Sequence, residues 1–475
     1  MKLSFEKSVP GRQGFAVPEL GFVEKKGIIP DEFLRKGANL PELGELDVVR
    51  HYTMLSSRNY GIDNGFYPLG SCTMKYNPKI NEVTAFFPGF AFIHPLQGEK
   101  SSQGALQLMF ELEKMLCEIT GFERFTLQPA AGAHGEITGI MVIQAHFRKL
   151  KESRAKILVT DSSHGTNPAS AALCGFHAIE VKSDARGNID RADLRAKMGS
   201  DVAGLMLTNP STLGLFEENI VEVCKIVHEK GGLVYCDGAN MNAILGKTKP
   251  ALAGFDVMHL NLHKTFSTPH GGGGPGSGPV GVVKKLAQFL PNPTVEKKGN
   301  EYFFDYSRKE SIGKVKGHFG NFGVLVRAYT YIKSLGGNGL LRVSENAVLN
   351  ANYVQARLKK MFPVAFERTC MHECVLSDKN LPNGVTTIDV AKRLLDFGMH
   401  APTIYFPMIV AGAIMIEPTE TESKETLDEF VQAMETIFNE AKNGPEKVKN
   451  APVNTPVRRL DAVKAAREPV LRWLP

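Results

Sequence analysis

Between residues 125 and 262 the chain repeats one pattern: a short, largely apolar run, a polar residue at or just past its end, then a stretch with helical spacing. The runs are 125–127, 156–160, 203–207, 233–236 and 257–262, with helical stretches such as 135–149 and 219–230 between them. Apolar runs without polar alternation suit strands buried on both faces. Their alternation with helices calls for an α/β architecture with a parallel or mostly parallel sheet covered on both sides. Such sheets bind ligands beyond the carboxyl ends of their strands. The polar residues at those ends are His164, Thr208, Asn209, Asp237 and Lys264, and together they describe one site.

Lys264 lies in Asn261-Leu262-His263-Lys264-Thr265-Phe266, and a glycine-rich loop, residues 270–281, follows directly. An amine delivered by a strand end against a wall of backbone is placed for Schiff-base chemistry, because desolvation and nearby cations lower its pKa and make it nucleophilic. Most of the 56 lysines and arginines must be solvated surface charges instead. What separates Lys264 is the acid Asp237, which ends the preceding strand in Leu233-Val234-Tyr235-Cys236-Asp237-Gly238-Ala239.

An amine and an acid so placed point to pyridoxal 5'-phosphate, whose ring nitrogen must stay protonated for the ring to accept electrons. Asp237 is the candidate for that task, against the plain alternative of a solvated loop acid. The phosphate needs backbone donors at a helix start. Gly132, Ala133 and His134, in a loop of small residues that leads into a helix, supply them. Ala239 is small enough to lie against one ring face and His164 could stack on the other, although a purely structural histidine fits the same position. Thr208 or Asn209 would meet the ring hydroxyl, and His263 the phosphate. The glycine loop also fits a dinucleotide fingerprint formally, through Gly271, Gly273 and Gly276 with Glu296 downstream. Pro275 and Pro279 obstruct the helix that such a fingerprint needs, and residues 279–283 read as a strand. A backbone wall closing on a phosphate, at a dimer interface, accounts for the loop better.

At 475 residues the chain is long for one domain. Residues 1–65, rich in Gly, Pro and charge, read as an N-terminal arm, and 66–330 as the large cofactor-binding domain. Residues 101–120 have helical spacing and a stop at Gly121. A helix over 342–361 then leads into a mixed region with runs at 364–366, 374–376 and 414–417, so 331–442 reads as a smaller α+β domain. Residues 443–475, with the only tryptophan, Trp473, form a C-terminal tail. A net charge of +6 spread along the chain suits anionic ligands but is too diffuse for nucleic acid, and no arginine–aromatic interleaving appears. Seven cysteines without a CxxC pair suggest a reducing compartment. Cys370-Met371-His372-Glu373-Cys374 lacks the second ligand pair that a zinc site needs, so no metal is expected. The first residues lack the apolar core of a signal peptide, and the longest apolar run, 408–416, is far short of a membrane span. A cytoplasmic protein is expected.

Long motifs resemble one family. Tyr67-Pro68-Leu69-Gly70-Ser71-Cys72-Thr73-Met74-Lys75-Tyr76-Asn77-Pro78 resembles the signature of the glycine-cleavage P-protein, glycine dehydrogenase (decarboxylating). So do His94-Pro95-Leu96-Gln97, Gly165-Thr166-Asn167-Pro168-Ala169-Ser170-Ala171, the lysine segment with its glycine loop, Thr403-Ile404-Tyr405-Phe406-Pro407, and Ile416-Glu417-Pro418-Thr419-Glu420. The likeness runs from Ser8 to Trp473; Leu96-Gln97-Gly98 and residues 370–374 depart from the family's usual wording. The resemblance implies a fold-type-I, pyridoxal-phosphate-dependent transferase-like large domain around a mostly parallel seven-stranded sheet, plus a smaller C-terminal α+β domain. It also implies decarboxylation of glycine, with transfer of the aminomethyl group to the lipoyl arm of H-protein and release of CO2. The length matches the half that bears the cofactor lysine in the family's two-subunit form, which implies a partner subunit 1 and an α2β2 assembly. In that scheme Lys264 shuttles protons, with His134, His164 and His270 in reserve, and a pocket for so small a substrate is expected to be tightened by Phe66 or Tyr67. Two other readings remain open on the residues alone: a related pyridoxal-phosphate decarboxylase that protonates its product, and a catalytically silent scaffold subunit.

Overall fold

A computed structural model describes the chain except for residues 1, 20, 22, 24–26, 36, 272–275 and 473–475, so Gly273 and Pro275 of the glycine loop and Trp473 of the tail lie outside the described residues. Two units separate: residues 1–65 with 459–475, and residues 66–458. The first holds the helices Glu45–Ser56 and Ala462–Arg467. Its N-terminal stretch is fastened internally, where the Glu42 amide donates to Ser8 Oγ (2.8 Å) and Arg12 pairs with Asp47 (3.0 Å).

Residues 66–458 are built on a seven-stranded sheet. Its strands are β1 (Arg124–Thr126), β2 (Lys156–Thr160), β3 (His177–Val181), β4 (Val202–Thr208), β5 (Leu233–Gly238), β6 (Val257–Leu260) and β7 (Val280–Val282). The order across the sheet is β1-β7-β6-β5-β4-β2-β3. Strand β7 runs antiparallel to both its neighbours, and the other pairs are parallel. The sheet is therefore mostly parallel, and the unbroken apolar runs have their cause in its burial. Leu158, Leu205, Val234 and Met258 enter one core, whereas Ile157, Met206, Tyr235 and Val257 enter another on the opposite face. Helices Gln103–Thr120 and Ile220–Glu229 cover the first face, and Gly132–Leu150 covers the second. Gly121, at φ 81°, ends the first of these helices as its sequence suggests.

A hairpin, β8 (Thr294–Lys298) with β9 (Glu301–Asp305), follows. The helix Phe322–Leu358 then begins twenty residues earlier than its sequence periodicity suggests and is interrupted at Gly336 (φ 60°), where the run Gly336-Gly337 breaks the apolar stripe. Its first half packs Leu325 and Ala328 into the large core. Its second half packs Ala351, Val354 and Leu358 into a separate core. That core lies under a three-stranded antiparallel sheet of β10 (Cys374–Ser377), β11 (Thr403–Ile404) and β12 (Ala413–Ile416), in the order β10-β12-β11. Residues 364–366 form no strand; Val364 makes only an isolated bridge to Leu376. Among the described residues no helix is long and apolar enough to cross a membrane.

Candidate active site

A cavity of about 220 Å³ opens beyond the carboxyl ends of β4, β5 and β6. Thr208 and Asp237, paired in register as the last residues of the β4–β5 ladder, both face it. Beyond β6 the chain enters a turn instead of extending to Leu262, and Lys264 sits on that turn, its amide bonded to the Asn261 carbonyl. Nζ of Lys264 donates to the carbonyl of Ser71 (2.7 Å).

Asp237 is almost fully buried yet well supplied with partners. The Asn167 side-chain amide donates to Oδ2 (3.0 Å) and the Ala239 N–H donates to Oδ1 (3.0 Å). Nε2 of His259 stands 3.5 Å from Oδ1, and the other nitrogen of that ring is bonded to the Tyr235 hydroxyl (2.7 Å). Burial pushes the Asp237 carboxyl upward, but His259, the Asn167 amide, the Ala239 N–H and Lys264 together hold it below the ordinary carboxylate range. The short turn closed by the Ala239 amide also brings Ala239 onto the cavity wall.

The helix Gly132–Leu150 starts at the cavity. Its first intrahelical bond is Gly135 N to Ala131 O, so the amides of Gly132, Ala133 and His134 precede the ladder. A Cβ at Gly132 would stand 2.4 Å from Asn261 Oδ1, so any larger residue there would displace the Asn261 side chain. A Cβ at Gly278 would meet the Ala131 carbonyl at 2.1 Å, so the far limb of the glycine loop lies directly against this helix start. Among the buried polar atoms without a partner, Thr208 Oγ1, Asn261 Oδ1, His263 Nδ1 and His372 Nδ1 belong to residues that line the cavity. Burial, reinforced by His270 and Lys264, pushes the His263 imidazole down to about 3, so it is neutral.

Of the residues expected from the sequence, Lys264, Gly132, Ala133, His164, Thr208, Asp237, Ala239 and His263 line this one cavity. The His134 side chain does not. It points back over the first helical turn, where Nδ1 accepts the Ala130 N–H (3.1 Å). Asn209 is also turned away, its Oδ1 accepting from the Glu217 amide (3.0 Å). His164 lies on the wall, with Nδ1 2.8 Å from Thr166 Oγ1 and its ring edge-on to Phe406. The expectation of a pocket narrowed by Phe66 or Tyr67 is overturned. Phe66 is buried edge-on against Phe430 in the small-sheet core, and Tyr67 stacks on His400 with centroids 3.9 Å apart.

Sequence reasoning gave no role to a second buried group of acids. Glu373, on the cavity wall, accepts the Ser71 N–H at Oε2 (2.8 Å), while His372 Nε2 is 3.7 Å from Oε1. Beside it Glu417 accepts from the Thr73 N–H (2.9 Å), the Thr73 hydroxyl (2.7 Å) and the Asn240 amide (2.8 Å). Burial pushes both carboxyls up, and Glu373 further, because the charge of Glu417 adds to the effect. Ser71 (φ 66°) and Thr73 (φ 54°) both adopt left-handed backbone, which turns their amides toward these acids. The motif around Ser71 and the His372-Glu373 pair stood out in the sequence, but nothing local indicated that they meet.

Comparisons with known proteins agree over nearly the whole chain. Residues 29–300 match the family model "Glycine cleavage system P-protein", and 343–458 match "Glycine dehydrogenase, C-terminal domain". A protein of Caldanaerobacter subterraneus subsp. tengcongensis named "Probable glycine dehydrogenase (decarboxylating) subunit 2" is 62% identical over 99% of this chain and 98% of its own length. Its namesake in Alkaliphilus oremlandii is 58% identical with the same coverage. Among solved structures, an inhibitor-bound glycine decarboxylase (P-protein) of the glycine cleavage system superimposes with a TM-score of 0.73 at 21% identity, over 86% of this chain and 93% of the other. A sphingosine-1-phosphate lyase of Burkholderia pseudomallei gives 0.64 at 12% identity, over 87% and 95%. At these identities the structural likeness establishes the fold.

Proposed function

The chain belongs to the glycine cleavage system P-protein family, and from that premise we propose that it decarboxylates glycine with pyridoxal 5'-phosphate and transfers the remaining aminomethyl group to the lipoyl arm of H-protein, releasing CO2. One observation carries this reading: the Lys264 amine, an Asp237 carboxyl held ionised, and a helix start with free amides share a single cavity. The orphaned Thr208 hydroxyl and His263 Nδ1 fit the cofactor as well, being buried polar atoms that await partners.

When bound, pyridoxal phosphate supplies an electron sink for the pair left on carbon as CO2 departs. The protein holds and tunes that group. Lys264 would supply the amine for its aldehyde, and the Ser71 carbonyl accepts from Nζ at 2.7 Å. With its amine free, Nζ would be the base within reach of the substrate for moving protons. Asp237 would hold a proton on the ring nitrogen; Asn167 and His259 secure the carboxylate for that task. The amides of Gly132, Ala133 and His134 would take the phosphate at the positive end of their helix, with neutral His263 as a further contact. Thr208 would meet the ring hydroxyl, and Ala239 and His164, on the same cavity wall, would flank the ring. In this assignment residues 66–330 carry the cofactor, and 331–442 contribute the wall that bears Glu373. Residues 1–65 serve as the arm, and the part of the tail from 459 onward extends toward a second subunit in an α2β2 assembly, because 443–458 pack with the small domain, where Val448 is buried in its core.

The deciding experiment is exchange of glycine carboxyl carbon with labelled bicarbonate, run with added partner subunit and lipoylated carrier. Exchange that requires the lipoylated carrier is expected. Release of free methylamine without a carrier would move the protein to the decarboxylases that protonate their product, and colourless protein that takes up no cofactor would leave only a scaffold.

A further inference from the structure

The reading above leaves the glycine carboxylate without a partner, and the cavity restricts the choice. Among the described residues that line it there is no arginine, and Lys264, its only lysine, is committed to the cofactor. Glu373 is an acid on the same wall, tied to the same residue as Lys264: Ser71 offers its carbonyl to the lysine and its N–H to Glu373. Glu373 and Glu417 place oxygens within 4.8 Å of each other in a buried setting, where each carboxylate opposes ionisation of the other. Glu417 accepts three hydrogen bonds from Thr73 and Asn240, so the charge belongs there. Glu373 accepts one, at Oε2, which leaves Oε1 to bear the proton.

We propose that Glu373, as a neutral carboxyl, receives the carboxylate of glycine and donates one hydrogen bond to it from Oε1. The proposal rests on the functional reading above. Its chemical sense lies in what is withheld. A guanidinium would stabilise the carboxylate most in the ground state, when its charge is fully formed, and would lose that interaction as CO2 leaves. A neutral donor orients the group while adding little to the barrier. Glu373 keeps its proton throughout, so it neither supplies nor consumes one in the reaction.

The test compares affinities for glycine and methylamine, the same amine without the carboxylate, read from cofactor absorbance of the assembled, loaded enzyme. Glu373→Ala should cut the preference for glycine about 10- to 100-fold, the worth of a hydrogen bond to a charged group, and leave methylamine binding in place. Glu373→Gln, whose amide still donates, should keep most of the preference. Infrared spectra of the cofactor-free protein at neutral pH should contain a protonated-carboxyl C=O band that disappears in Glu373→Gln, a readout that needs neither cofactor nor turnover. Equal loss of glycine and methylamine in Glu373→Ala, or a band that survives in Glu373→Gln, overturns the proposal. Wild-type protein that exchanges no glycine carbon overturns the functional reading itself. Wild-type protein that does exchange, together with an unaltered preference in Glu373→Ala, overturns only the role of Glu373.

Discussion

Two buried acids on the wall of one cavity have been given opposite states. Asp237, at the end of β5, is held below its ordinary pKa, whereas Glu373, just before β10, is held well above its own. Burial is nearly complete for both, so burial does not distinguish them. The difference lies in what the surroundings donate. Asp237 receives two amide hydrogen bonds and faces His259; Glu373 receives one and faces another acid. Neighbours, not depth, decide whether a buried carboxyl serves as a charge or as a hydrogen-bond donor.

Both acids matter only with respect to the amine between their roles, so the comparison breaks first at Lys264. Lys264→Ala should abolish the visible absorbance of bound cofactor and lower carbon exchange by about 10³-fold or more. Substantial remaining exchange would detach both acids from the chemistry. A third buried charge provides a control in which a direct ion pair does the work. Lys75 Nζ reaches Glu420 (2.6 Å), the Thr265 carbonyl (2.7 Å) and the Tyr331 hydroxyl (3.1 Å), beside the turn that carries Lys264. Lys75→Met strands Glu420 in the interior and should cost about 3–5 kcal/mol in urea unfolding. A loss below about 1 kcal/mol would mean that water screens the pair as it does a surface ion pair.

The comparison itself is sharpened by pH. Asp237 has a folded pKa below 3.8, so its contribution to stability is present above 3.8 and lost as pH falls through the folded value. Glu373 has a folded pKa above 4.5, so its contribution is present in full below 4.5 and lost as pH rises toward the folded value. In cofactor-free protein the stability gap between wild type and Asp237→Asn should therefore close in acid. Glu373→Gln should instead gain on wild type as pH rises above 4.5, each slope reaching at most about 1.4 kcal/mol per pH unit. Slopes of the same sign in urea titrations would refute the contrast. The smallest effect belongs to the orphaned hydroxyl: Thr208→Val should weaken cofactor binding about tenfold or less, measured by absorbance titration.

Much of this arrangement was legible in the residue order. Continuous apolar runs identified the central strands because burial on both faces leaves no room for polar alternation. The half-exposed β3, the β8–β9 hairpin and the two-residue β11 lack such runs and escaped notice. The sequence places the His134 amide at the helix start, but only the backbone geometry of the first helical turn shows that its ring serves Ala130. Phe66 and Tyr67 are expected at the substrate because a pocket for so small a molecule calls for bulky walls. Their rings are taken by Phe430 and His400, which lie more than 300 residues downstream.

By itself, the sequence determined which groups arrive at the rim of the sheet. Thr208 and Asp237 ride on their own strands and Lys264 on the turn after one, so short-range periodicity suffices to deliver them. Charge was decided by the tertiary structure alone. Ser71 meets Glu373 across 302 residues and Thr73 meets Glu417 across 344. The protonation of a carboxyl depends on the donors and the dielectric that distant segments bring to it, and no local pattern encodes either one.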